Sequence, residues 1–322
     1  MIRLHCSTAF QTALALVCGV VSAFGSVGTP VQLTKDDVET IVANAATEAA
    51  RIDPRAVIAV TDRDGFVLAV WDMGGRIPSP VPPFSLSDRS KIAIYGKLAG
   101  AITRAGTAAF LSSDQEAFTS RTAGFIIQQH FPPGVRNTPT GPLVGVGFSS
   151  LFFSDVNFMK YIPNGFDGAA LVPDTMSPGV RAPSVLLGSL NDSPGGVPLY
   201  KLGHLVGGIG VIGDNDPTNL CPAAAIFLKD TQTDATTGFK EGKDIDEQVA
   251  LAGQTGFRPD HSIIATNVLI NGIRIPYVFQ RFNDIEDVHD PEPLGAHGQP
   301  VRGLMVVLSN CLLYTSPSPR DS

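Results

Sequence analysis

Residues 195–213 constrain this chain most: Gly-Gly-Val-Pro-Leu-Tyr-Lys-Leu-Gly-His-Leu-Val-Gly-Gly-Ile-Gly-Val-Ile-Gly. Two apolar runs, 197–200 and 205–211, flank the turn Lys201-Leu202-Gly203-His204. Gly203 supplies the positive φ that a tight turn demands, so the pattern predicts a β-hairpin. The second strand carries Gly207, Gly208 and Gly210 in its interior. Glycine weakens a strand, and there it marks a close approach to the backbone. A helix and a flat ligand both fit. Gly208-x-Gly210-x-x-Gly213 also matches a dinucleotide fingerprint, but that motif must open a helix. Here the turn Asp214-Asn215-Asp216-Pro217 follows, and the nucleotide reading is rejected.

The other elements follow from capping and periodicity. Thr34 with Asp37 makes a capping box, and Val38, Ile41, Val42, Ala45 and Ala49 fall on one helical face. That helix ends near Ile52-Asp53-Pro54. Runs 56–60 and 66–71 form a hairpin on Asp64-Gly65. Asp62 and Asp64 are metal-ligand types, but turn chemistry accounts for both. A long helix is expected over 86–113, rich in alanine and interrupted by Gly96, Gly100 and Gly106. A further helix is expected over 115–130, capped by Ser113 or Asp114, with His130 at its C-terminal end. Residues 246–253 read as another helix with Glu247 in its first turn. Residues 263–269 and 273–279 read as a hairpin on Asn271-Gly272.

Between these lie segments dense in Pro, Gly, Asn and Ser. Residues 132–193 and 214–243 read as long insertions in a single domain over 31–283. Strands are expected at 144–153 and 185–190. Residues 284–310 read as an acidic, turn-rich tail, and the spacing of His289 and His297 suits a solvated loop better than a metal site. Residues 1–23 have the charge, apolar stretch and small-residue site of a secretory signal peptide, so the protein is expected in the periplasm or outside the cell. Residues 311–322 read as a non-native scar. Cys221 is then the credible mature cysteine, and one thiol closes no internal disulfide.

A net charge of −7 argues against nucleic acid or an anionic membrane surface as partner. No stretch after the leader is long and apolar enough to span a membrane. There is no phosphate-binding loop, zinc-type Cys/His spacing or Gly-x-Ser-x-Gly elbow. Chemistry from the protein's own side chains is unsupported.

In order along the chain, four segments resemble the GlcG/HbpS-like haem-binding (haem-degrading) family. The first is Ala45-Ala46-x-x-Ala49-Ala50 with Ala59-Val60-x-Asp62-x-x-Gly65. The second is Arg104-Ala105-Gly106-Thr107-Ala108-Ala109-Phe110. The third is Gly195-Gly196-Val197-Pro198 through Gly213, and the fourth is Asp246-Glu247-x-x-Ala250-x-x-Gly253. Gly106 stands where the family has Arg. The resemblance implies an α+β, profilin-like fold, an antiparallel sheet with helices packed on it, and a tendency to form homo-oligomers.

It also implies haem, or a related tetrapyrrole, as ligand. Haem needs an apolar slot, an axial ligand and cations for its propionates. On this reading the long helix and the strand with Gly207, Gly208 and Gly210 make the slot, and Arg104 meets a propionate. Thr107 matches the family's helix motif, with a bond to the preceding helical turn as its other reading. His130 is a candidate iron ligand or a helix cap. Cys221, in Cys221-Pro222, is a candidate thiolate ligand or a small buried hydrophobe. Tyr95 is a further, unplaced candidate. Three functions follow: a haem-binding protein, an enzyme that degrades its bound haem, and an interaction module that has lost the ligand. A corrinoid ligand is a fourth, weaker option.

Overall fold

The computed structural model describes residues 30–77, 89–145, 190–213, 244–279, 283 and 285–301. The chain divides into two units, Met1–Val31 and Gln32–Ser322, and the second carries the fold.

Helix α1, Lys35–Ile52, begins as the sequence predicts. The Asp37 N–H donates to the Thr34 hydroxyl at 3.2 Å, and the Thr34 N–H donates to the Asp37 carboxylate at 2.6 Å. Strands β1, Val57–Asp62, and β2, Val67–Asp72, form the expected hairpin, with Gly65 at φ +82. Asp62 serves the turn, its carboxylate accepting from Phe66 N–H at 2.8 Å. Helix α2, Arg89–Leu111, is the long alanine-rich helix.

Helix α3 is shorter than the pattern implied: Ser120–Ile126, not 115–130. The difference has a local cause. The Ser113 hydroxyl accepts from the N–H groups of Gln115 and Glu116, which closes a turn instead of a helix. Ala117 then exchanges backbone bonds with Ile263 and Ala265. A capping box between Thr119 and Thr122 starts the helix only after that. His130 therefore lies in the following loop and caps nothing.

Strands β3, Gly196–Lys201, and β4, His204–Ile212, make the central hairpin. Leu202 at φ 53 and Gly203 at φ 84 both take the left-handed conformation that a two-residue turn between twisted strands requires. Helix α4, Ile245–Gly253, is capped by Asp244, which accepts from Glu247 N–H at 2.9 Å.

The last predicted hairpin shrinks to β5, Leu269–Ile270, and β6, Ile273–Arg274, a small separate sheet. The flanking chain is drawn away to other partners. Tyr277 is buried in the core, its carbonyl accepting from the Thr119 hydroxyl, and the Pro276 carbonyl accepts from Thr122 at 2.7 Å. The tail also differs from a free loop. Strand β7, Gln299–Pro300, pairs with β2, and Trp71 Nε1 donates to the His297 carbonyl at 2.7 Å.

The main sheet runs β3-β4-β1-β2-β7 with every neighbour antiparallel. Helix α2 covers one face and α1 with α4 the other, which gives the α+β architecture expected. Residues alternate between the faces along β4. A Cβ on Gly208 or Gly210 would strike the α2 backbone, whereas Ile209 reaches Gly253 of α4. The sheet edge at β3 is closed by the chain after α4: the Tyr200 N–H donates to the Phe257 carbonyl at 2.8 Å. Cys221, the Tyr95 side chain, nearly all of the strands expected at 144–153 and 185–190, and residues 146–189 and 214–243 of the insertions lie outside the described residues.

Candidate functional site

The close approach announced by the glycine strand is made by a helix. A Cβ on Gly210 would lie 2.1 Å from the Ala101 carbonyl oxygen and 2.4 Å from Ala105 N. One on Gly208 would lie 2.2 Å from the Ala105 carbonyl oxygen. Gly207 points to the opposite face, where its Cβ would meet the Thr61 carbonyl oxygen at 2.1 Å and Leu33 at 3.2 Å. Helix and strand touch backbone to backbone, so no macrocycle fits between them.

Arg104 is 1 % exposed and points into the protein. Its Nη1 donates to the Asp246 carboxylate at 2.6 Å and to the Val211 carbonyl at 2.5 Å. Gly195, at φ +111, leaves room for this pair: its Cβ would lie 2.9 Å from Asp246 and 3.0 Å from Arg104. Gly213 is held equally close, since a Cβ there would overlap the Asp53 carboxylate. The motif glycines at both ends of the hairpin thus make space for buried carboxylates. Arg104 ties α2 to α4 and β4, and it is not placed to meet a propionate at the surface.

Thr107 takes its local reading. The buried hydroxyl donates to the Thr103 carbonyl at 2.7 Å and accepts from Asn191 N–H at 2.7 Å. Its proton is already engaged, and the second bond fixes where the chain returns before β3.

A second buried pair stands beside the first. Arg121 donates to Glu247 through Nε at 2.6 Å and Nη2 at 3.0 Å, and Asp244 lies 3.8 Å from Nη2. Phe279 N–H donates to Glu247 at 3.0 Å, and the Phe279 ring lies 5.3 Å from the guanidinium carbon. Burial pushes the Glu247 carboxyl up to about 7, against the pull of Arg121 and with a further push from Asp244. Burial also lowers the Lys97 ammonium to about 8, helped by Arg76 and opposed by Asp53 and Asp246.

The Glu247 shift predicts a pH dependence. The folded protein holds the Glu247 proton to a higher pH than the unfolded chain, whose ordinary value is 4.5. Stability from this group is complete below about 4.5 and is lost as pH rises through about 7. Urea midpoints between pH 5 and pH 7.5 should therefore fall with rising pH, and Glu247→Gln should flatten that part of the slope.

Among the described residues, the histidines that could ligate an iron atom lie on the surface. His130 is exposed, and its Nδ1 lies 3.2 Å from the Thr138 carbonyl. A carbonyl only accepts, so Nδ1 carries the proton and Nε2 is left as a lone-pair donor. Val135, 45 % exposed, and Arg136 stand in the same loop. The hairpin tip holds a histidine that sequence reasoning used only as a turn residue. His204 Nδ1 lies 2.8 Å from Asp114 Oδ2, and Asp114 Oδ1 accepts from Leu205 N–H at 2.7 Å. The signal was available only in three dimensions, because Asp114 lies far from His204 in sequence. Among the described residues there is no group of three His, Cys, Asp or Glu able to hold a metal ion, and no helix is long and apolar enough to cross a membrane.

No family profile and no curated protein matches the chain. Solved structures similar to it include Klebsiella pneumoniae protein ORFY, at 13% identity and a TM-score of 0.33 over 72% of this chain and 95% of that one. The PduOC:haem complex aligns at 16% identity and a TM-score of 0.30, over 65% and 94%. A double mutant of Streptomyces reticuli HbpS aligns at 16% identity and a TM-score of 0.30, over 71% and 90%.

Proposed function

We propose that this chain is an exported protein that binds haem, or a related tetrapyrrole, on its outer surface through a histidine. The observation that carries this reading is the state of His130 and His204. Each is exposed and has Nδ1 within hydrogen-bond distance of an oxygen, which leaves Nε2 as the nitrogen a ligand could use. That is the tautomer an axial ligand needs, held in place before any ligand arrives. The four family-like segments add to it, since they pack together as α1, α2, the central hairpin and α4. When bound, haem supplies the redox chemistry of its iron; the protein's part is to orient it and hold its propionates. Export rests on the leader, and homo-oligomer formation on the resemblance.

The second reading, an interaction module without ligand, is favoured by the backbone contact between α2 and the glycine strand and by the internal roles of Arg104 and Thr107. A haemin titration of the protein followed by absorbance separates the two. A saturable shifted Soret band at about one haem per chain supports binding. An unshifted spectrum at micromolar haemin, from folded protein, leaves the module. Loss of the band with reductant and oxygen, with release of iron, would extend the first reading to haem degradation.

A further inference from the structure

We infer that residues 285–301 form a strap that opens and closes as one unit while the rest of the fold stays intact. The strap runs from the end of α4 over α1 to the edge of β2. At its start, Arg258 donates to the Ile285 and Glu286 carbonyls at 3.2 and 2.9 Å and pairs with Asp287 at 3.0 Å. The Val288 N–H donates to the Thr255 hydroxyl, just past α4, at 3.1 Å. In the middle, the Glu292 N–H donates to the Thr47 hydroxyl of α1 at 2.8 Å. At its end, Trp71 Nε1 donates to the His297 carbonyl at 2.7 Å, β7 pairs with β2, and the Val301 N–H donates to the Val70 carbonyl at 2.9 Å. Apart from the Asp287 contact and the backbone bonds to β2, these bonds join a side chain of the body to the backbone of the strap.

Apolar burial adds little to these bonds. Within 285–301 only Ile285 and Val301 are buried, and Glu286, Asp287, Asp290 and Glu292 are exposed. Water replaces hydrogen bonds of this kind at small net cost. A segment with few buried apolar contacts and solvent-facing backbone bonds opens at a lower free energy than the core. The strap is also stiff between its anchors. Pro291, Pro293 and Pro300 restrict its backbone. The Ala296 N–H donates to the Pro293 carbonyl at 2.9 Å, and His297 Nε2 lies 2.7 Å from a Glu292 carboxylate oxygen. Stiffness passes the loss of one anchor on to the next, which makes opening a joint event. Opening bares the β2 edge at Val70, Trp71 and Asp72 and leaves the Trp71 indole N–H to water.

Native-state amide hydrogen exchange of the full chain tests this, in the wild type and in Thr47→Val. In the wild type the amides of Val288, Glu292 and Val301 should share one opening free energy. They should exchange about a hundredfold or more faster than the hydrogen-bonded amides of β1 and β4. Thr47→Val removes the acceptor for the Glu292 N–H alone. It should nevertheless speed all three strap amides by the same factor and leave β1 and β4 unchanged. Trp71 is the chain's single tryptophan, so its fluorescence should shift to the red at lower urea than far-ultraviolet circular dichroism changes. Strap amides that exchange as slowly as those of β1 and β4, or fluorescence and dichroism transitions that coincide, would make the segment part of the core and overturn the inference. A response confined to Glu292 in Thr47→Val would overturn it too, because the anchors would then open singly.

Discussion

Arg104→Met should cost about 3–5 kcal/mol of unfolding free energy, a large fraction of the about 5–15 kcal/mol that typically holds a domain folded. The cause is the carboxylate left behind. Asp246 is buried at 5 % exposure, and the guanidinium 2.6 Å away is its charge partner. The Val211 carbonyl would also lose a donor. Removing both charges, in Arg104→Met with Asp246→Leu, should recover most of the loss, because a buried ion pair adds little over apolar groups of equal volume. Urea denaturation of the two single variants and the double variant measures this as a cycle. A double variant no more stable than either single would mean that the pair organises the local backbone beyond its charge.

Gly210→Ala should be the next most damaging change, at about 3 kcal/mol, although it adds one methyl group. The new Cβ would lie 2.1 Å from a backbone oxygen of α2, and a backbone cannot rotate aside as a side chain can. Gly106→Ala in the same helix is the control. Its Cβ meets nothing within 4 Å, so the higher helix propensity of alanine should raise stability by about 1 kcal/mol. Thermal melts of the two variants should move in opposite directions. Equal shifts would show that α2 slides on the sheet to accommodate the methyl.

The sequence carried the local signals well. Thr34 with Asp37, Asp64-Gly65, Leu202-Gly203 and Asn271-Gly272 are caps and turns whose geometry is decided within a few residues, and each appears where its chemistry required. The glycines of β4 announced a close neighbour, but one strand cannot say whether that neighbour is a helix or a ligand. The start of α3 comes later than the pattern implied because Ala117 is held by Ile263 and Ala265, partners that no periodicity reveals. Arg104 read as a free cation for the same reason, since Asp246 faces it from a distant helix. The Asp114–His204 pair is the clearest case: Asp114 read as a helix cap and His204 as a turn residue, and nothing local pairs them until the hairpin folds beside the end of α2.

The strand order also sets a timetable. Strand β1 pairs on one side with its neighbour β2 and on the other with β4, which begins at His204, roughly 140 residues later. At about 5–20 residues per second, a growing chain on the ribosome holds the first hairpin for about 7–30 s before β4 is made. During that interval one side of β1 presents unpaired N–H and C=O groups and a row of Val, Ile and Ala side chains to whatever is nearby. The nascent protein is therefore most exposed to mispairing midway through its own synthesis, and helper proteins that cover apolar strands would act on it there.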